Sequence, residues 1–434
     1  MQRFCFVLVV VLLLIGVESI GCAEKKSVPS QAEPIAVAST DWPWWRGPDR
    51  NGIAASSQSP PTRWSADDNV LWKSPLPGRG HGSPTVVGDH VFLATADEES
   101  QVQSVICFDR RTGTEVWKTD VHRGGFATKF DRQPNKKSSH ASSTVACDGR
   151  RLYINFLNDN AVQTTALNRE GDILWQERIS EYQVHQGYGS SPALYKSLVI
   201  VSSDNKLGGT IAALDRASGD VVWQKRRPQT PNYPSPIILD VAGREQLLFT
   251  GCDLVSSFDP LTGDKNWEID GATTECVTTT VTDGQHIYST GGYPKNHIAA
   301  VRADGSGEIV WEKKTRVYVP SMLVTRGHLY AVGDSGVAMC FQSDTGNEAW
   351  KERLGGKFTA SPVLVGEHIY ATSEGGRTFI YKAQPGGFEQ VAQNDLGDEV
   401  YATPTICGSR IYMRVAFFDD DQRREMLYCL GSRE

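Results

Sequence analysis

A glycine stands four residues ahead of a tryptophan repeatedly along this chain: Gly113/Trp117, Gly171/Trp175, Gly219/Trp223, Gly263/Trp267, Gly307/Trp311 and Gly346/Trp350, with a worn seventh copy at Gly387/Val391. An eighth tryptophan, Trp72 in Val70-Leu71-Trp72-Lys73, has no glycine partner ahead of it. Between these points a second unit recurs: a Ser/Thr-Pro-like start, a short apolar strand, a turn and an apolar-Tyr strand, as in SPTVVGDHVFLAT from Ser83 and SPVLVGEHIYATS from Ser361. Aligned on Pro84, Ser143, Pro192, Pro236, Thr279, Ser321, Pro362 and Pro404, its eight copies are spaced by 59, 49, 44, 43, 42, 41 and 42 residues. A unit of that length cannot bury its apolar face alone and must stack on its neighbours, and about 40–45 residues is the pitch of a four-stranded propeller blade. The sequence predicts an all-β, eight-bladed propeller of four-stranded antiparallel blades.

Each blade can be laid out from its own pattern. In the first, strand A runs from Ser83 to Val87, strand B from Val91 to Thr95, strand C from Val105 to Asp109 and strand D from Glu115 to Thr119. The connection Asp109-Arg110-Arg111-Thr112-Gly113 closes the C to D hairpin, where the Asp carboxylate can accept backbone N–H groups and Gly tolerates positive φ. The recurring Trp reads as a filler of the wedge between adjacent blades. The eighth copy supplies strands A, B and C at 404–407, 411–415 and 426–430, after which the chain ends. Its missing outer strand is Val70 to Ser74 around Trp72, so the N-terminal strand is expected to complete the last blade and leave no open edge. Forty-one Gly, 21 Pro and 11 Trp against 5 Met agree with a turn-rich β protein. A net charge of -7 supplies no global basic field, so no nucleic-acid partner is expected.

The N-terminus reads as an export signal over residues 1–21: Arg3 precedes the apolar run from Phe4 to Val17, and small residues follow. Ser19-Ile20-Gly21-Cys22 resembles a bacterial lipobox, which implies acylation of Cys22, although Ser19 stands where that pattern prefers Leu. A plainly secreted or periplasmic protein and an uncleaved anchor are the alternatives. Residues 22–41 are rich in Ser, Pro, Ala, Glu and Lys without periodicity and are expected to be a flexible tether, with the propeller occupying 42–434.

The Asp-x-x-Thr-Gly-x-x-x-Trp repeats, the Ser-Pro strand starts and the opening Trp44-Trp45-Arg46-Gly47-Pro48-Asp49-Arg50-Asn51-Gly52 resemble the pyrroloquinoline-quinone-like (PQQ-like) β-propeller repeat proteins. That group spans outer-membrane assembly lipoproteins of the BamB type and quinoprotein alcohol dehydrogenases, and the match covers roughly residues 42–430. The resemblance fixes a scaffold; activity lives in the loops grafted on it. A dehydrogenase of this group implies PQQ and Ca²⁺ over the channel, a catalytic Asp, a floor Trp and, in many members, adjacent cysteines. No Cys-Cys pair occurs here, and the tryptophans are all assigned to the N-terminal segment or to the repeat position. Hydrolase elbow, zincin, phosphate-loop and Cys-x-x-Cys motifs are absent.

Polar and aromatic residues are expected on the face where the D to A and B to C loops emerge, called the upper face here. The candidates for ligand or partner binding are Arg79, His81, His140, His185, Tyr188, Lys206, Tyr233, Glu275, Lys295, Asn296, Tyr318, Lys357 and Tyr401. The same composition suits ordinary solvated loops. The excess of the longest interval, Val121 to Ser139, holds Arg123 (at its base), Lys129, Arg132, Lys136 and Lys137, a basic rim for an acidic partner or anionic polymer, or else a solvated loop. Cys252 and Cys276 are the cysteine pair that this register brings near disulfide range. The sequence reading is a monomeric, exported, lipid-anchored propeller acting as a non-catalytic binding or assembly scaffold of the periplasm or outer membrane, with no cofactor and no metal. The alternatives are a PQQ- and Ca-dependent alcohol or sugar dehydrogenase and a carbohydrate- or polymer-binding module.

Overall fold

In the computed structural model, residues 33–132, 135–420 and 422–432 are described; the proposed leader 1–21 and Cys22 lie outside them. Eight antiparallel sheets follow one another around a channel. The first blade comprises Thr85–Val87, His90–Asp97, Val102–Asp109 and Glu115–Arg123: the expected strands B, C and D extended at their upper ends, and strand A starting at Thr85 rather than Ser83. The eighth comprises Thr405–Cys407, Arg410–Asp419 and Gln422–Leu430, and its outer strand is Val70–Leu76, paired through Trp72↔Cys429 and Ser74↔Leu427. The predicted closure by the N-terminal strand is the one observed. Blade 7 gains a fifth, innermost strand, because Ile53–Ala54 runs parallel to Val363–Val365. Among the described residues there is no α-helix.

The glycine and tryptophan repeat has a physical cause that spans two blades. Each Trp leans over the C to D turn of the following blade. The Nε1 of Trp72, Trp117, Trp175, Trp223, Trp311 and Trp350 donates to a carbonyl of that turn, from Arg110, Arg169, Arg216, Pro260, Ser343 and Gln384 in order. Beneath the rings of Trp72, Trp117, Trp175, Trp223 and Trp311 sits the turn glycine: a Cβ on Gly113, at φ 74°, would fall 2.4 Å from the Trp72 ring, and one on Gly346 2.6 Å from Trp311. The Gly therefore answers the Trp of the preceding blade, not the Trp four residues later. Trp72 over Gly113 carries the same joint across the ring closure.

A second inter-blade chain runs closer to the axis. Ser83 N–H donates to Thr144 Oγ1, Thr144 to Ser191, Ser191 to Ser235, Thr279 to Ser321, Ser321 to Ser361 and Ser361 to Thr403, each at 2.9 to 3.0 Å. This is why the strand starts are Ser or Thr. It also corrects the sequence alignment: Thr144 is the counterpart of Ser83, so Val145 rather than Ser143 matches Pro84, and Thr280 and Met322 rather than Thr279 and Ser321 match it in blades 5 and 6. The partners of these hydroxyls lie in the next blade, which a copy-by-copy alignment does not see.

The segment after the tether lies across the lower face and closes the channel there. Trp42 pairs with Val86 of blade 1, Cys147 N–H of blade 2 donates to Pro43 O, and Arg50 donates to Leu194 O of blade 3. Trp45 Nε1 reaches Thr279 of blade 5 at 2.7 Å. Arg46, 1% exposed, donates to Met322 O at 2.6 Å, Pro362 O at 3.1 Å and Asn51 O at 2.9 Å. Residues 33–41, the end of the stretch expected as tether, also rest on this face: Ala36 N–H donates to Asp148 O at 2.9 Å and Arg216 to Glu33 O at 2.6 Å.

Candidate functional site

With its lower end closed, the channel is a chamber whose chemistry is set by the upper loops and the strand starts. A cavity of about 190 Å³ is walled by Thr144, Ser191, Ser235, Thr279, Ser361 and Thr403, with Trp45 and the rings of His81, Tyr233 and Tyr401 around it. Trp45 corrects the expectation that no tryptophan is spare for the channel: it comes from the N-terminal segment, whose path no repeat pattern reveals.

Above the chamber, two groups of side chains come together. His185 lies between carboxylates, Nδ1 2.8 Å from Asp131 and Nε2 3.2 Å from Glu275; Lys206 Nζ joins Asp131 at 2.5 Å, and Tyr318 donates to Glu275 at 3.3 Å. Burial raises the Asp131 pKa, but hydrogen bonds from Lys206 and His185 outweigh it and hold the group below its ordinary value. On the other side the His81 ring packs against Tyr401 at a tilt, with centroids 4.6 Å apart, and Tyr401 donates to Glu399 at 2.6 Å. Glu399 also accepts from Arg423, which joins Glu425 at 2.8 Å, and Glu425 receives Arg414. Burial, then the nearby Arg79, Arg414 and Arg423, push His81 well below its ordinary pKa, so it is neutral.

In the long first interval, three of the five basic residues are engaged by acidic side chains. Lys137 bonds both oxygens of Glu374 in blade 7 at 2.7 Å, Lys129 faces Glu181 at 3.6 Å, and Arg123 pairs with Asp120. Arg79 donates to Lys136 O at 3.0 Å. Arg132 and Lys136 are exposed. The acidic partners of Lys129 and Lys137 come from loops remote in sequence.

The remaining candidates scatter. His140 stacks under Phe126 at 3.9 Å and, with Tyr188, borders a smaller cavity of about 110 Å³; Tyr188 donates to Ser202 O at 3.1 Å. Lys295, Asn296 and Lys357 are exposed, and Lys357 borders an open groove of about 570 Å³ with Arg316, Tyr318, Asp334 and Glu374. Asp131, Glu399 and Arg423 were not among the sequence candidates. Cys252 and Cys276 lie on adjoining loops, Cys252 N–H donating to Thr274 O at 2.8 Å, yet both are buried free thiols. No bond joins them because Cys252 turns towards Asp204, 3.8 Å away, and Cys276 towards Thr273, 3.5 Å away.

The donor set does not fit a polycarboxylate quinone held with Ca²⁺. The cavity wall is hydroxyl and aromatic, Lys137 and Lys206 are engaged by Glu374 and Asp131, and no described group of three His, Cys, Asp or Glu side chains is placed to hold a metal. What the arrangement offers is uncharged hydrogen bonding inside and a paired, cross-braced rim outside.

A family model described as outer membrane protein assembly factor BamB matches residues 101–351 and again 294–387. The outer membrane protein assembly factor BamB of Burkholderia pseudomallei (strain K96243) is 25% identical over 352 residues, covering 77% of this chain and 81% of that protein. Polyvinylalcohol dehydrogenase of Pseudomonas sp is 28% identical over 232 residues, which is 49% of this chain and 33% of the enzyme. A solved europium-containing methanol dehydrogenase superposes with a TM-score of 0.64 over 91% of this chain and 98% of its own at 11% identity, a likeness of fold alone.

Proposed function

Because the chain belongs to the family described as outer membrane protein assembly factor BamB, we propose that it is a non-catalytic binding or assembly scaffold of the cell envelope. Its upper face meets a protein partner. The observation that carries this reading is the mutual engagement of charged groups at the channel mouth. Asp131, His185, Lys206 and Glu275 form one set and Lys137 with Glu374 another, which ties the loops leading into blades 2, 3 and 5 to the B to C loops of blades 3 and 7 in one surface. The contact region in this reading is the open groove bordered by Arg316, Tyr318 and Lys357, with the exposed Lys295 and Asn296 beside it. The leader 1–21 is removed, acylated Cys22 holds the monomeric propeller to the outer membrane on its periplasmic side, and no cofactor is required.

Affinity capture of the full-length protein expressed in its own envelope tests the reading. Outer-membrane assembly proteins are expected to co-purify, and Lys357→Glu with Arg316→Glu should abolish their recovery. Recovery without any such protein, or recovery unchanged by the charge reversals, overturns it. The likeness to polyvinylalcohol dehydrogenase and the position of Trp45 in the channel favour a quinone dehydrogenase as the second reading. Protein reconstituted with PQQ and Ca²⁺ would then oxidise alcohols with an artificial dye as acceptor; the scaffold reading expects no turnover.

A further inference from the structure

Two polar atoms in the chamber have no partner among the described residues. The Tyr233 hydroxyl and His81 Nε2 are buried and unsatisfied, and both residues line the same cavity. Buried polar atoms as a rule are hydrogen-bonded, so an orphaned pair facing one cavity marks a place for something outside the chain. The wall around them is unusual in its uniformity. The oxygens of Thr144, Ser191, Ser235, Ser361 and Thr403 each already accept a backbone N–H of the preceding blade, and that of Thr279 accepts Trp45 Nε1. Each hydroxyl keeps its own hydrogen to donate.

Aromatic surface completes the lining, from Trp45 below and Tyr401 and Tyr233 at the side, with Val277 and Val319 between. No lining side chain carries a net charge: burial raises the pKa of Tyr233 and Tyr401 and keeps them neutral, and burial and three nearby arginines disfavour protonation of His81. Hydroxyl donors, aromatic faces and the absence of a countercharge select against ions, whose burial here would be uncompensated. They suit a molecule with many hydroxyls on an apolar ring.

We propose that the chamber is a binding site for one neutral polyhydroxylated molecule, a monosaccharide or cyclic polyol, held by Tyr233, His81 and the ring of Ser and Thr hydroxyls over Trp45. This site lies inside the channel and is independent of the partner surface: the scaffold reading can fail while the chamber binds, and the reverse.

Titration of the full-length protein with D-glucose, N-acetyl-D-glucosamine and myo-inositol, followed by calorimetry and tryptophan fluorescence, tests it. D-Glucuronate and glucose 6-phosphate serve as charged counterparts. At least one neutral probe is expected to bind with single-site stoichiometry, and the charged counterparts more weakly. Loss of one hydrogen bond in Tyr233→Phe should weaken binding about 3–10-fold, with His81→Gln as a second variant; thermal unfolding of each variant confirms that it folds. The proposal is overturned if no neutral probe binds at millimolar concentration, if charged counterparts bind as well, or if both folded variants bind like the unaltered chain.

Discussion

At position 46 the chain buries a guanidinium that no carboxylate among the described residues answers. Burial alone lowers the Arg46 pKa to about 9, and three main-chain carbonyls from two blades and its own loop take the place of a counterion. Arg46→Ala removes the charge but strands those carbonyls and leaves a void, so a loss of about 3–5 kcal/mol in denaturant unfolding is expected. The cysteines give a second residue-scale test. Burial pushes Cys340 and Cys407 up to about 11 and Cys107, Cys147 and Cys429 to about 12. Thiolate is the reactive form, so native protein at pH 8 should resist alkylation at these sites and at Cys252 and Cys276. Once unfolded, all seven should alkylate, and peptide mapping without reductant should recover Cys252 and Cys276 unlinked. Asp131 sets a pH dependence. Its folded-state pKa is lowered, so the stability it lends is complete above the ordinary carboxylate range and is lost as pH falls through the folded value. Asp131→Asn should therefore flatten the fall of stability below about pH 4 in acid titration of unfolding.

At the scale of strands and blades, the joint between Trp and Gly predicts which substitutions matter. Trp72→Ala empties the seam that closes the ring and should cost about 3–5 kcal/mol. Gly113→Ala meets the same ring from below at positive φ and should cost about 1–3 kcal/mol, read by the same denaturation curve. The pattern that revealed the fold was legible because five of the joints between blades repeat one local conflict, a large ring over a turn that has room for no side chain. The strand order of the eighth blade was legible for the same reason, since Trp72 stood without its own glycine. The Ser and Thr ring was visible only as a tendency of strand starts, because each hydroxyl serves an N–H of another blade. The mouth was less legible still: Lys137 and Glu374 are 237 residues apart, and the composition of either loop alone cannot announce its partner.

For the whole molecule, the N-terminal segment is the part that sequence reading placed least well. Residues 42–54 stitch blades 1, 2, 3, 5, 6 and 7 together from below and make the channel a closed-bottom chamber, and residues 33–41 continue along that face. Deleting residues 33–40 should thus lower stability by about 1–3 kcal/mol, through the lost bonds of Glu33 and Ala36, where a free tether would change nothing. A propeller sealed below and braced above can present one face, the upper, to a partner. Site-specific photo-crosslinking in living cells tests that claim most directly, with the reactive group placed in turn at Lys357 on the upper groove and at Val116 on the outer rim. The account predicts a crosslink to an outer-membrane assembly protein from position 357 and none from position 116; a crosslink from 116 alone, or none from 357, would contradict it.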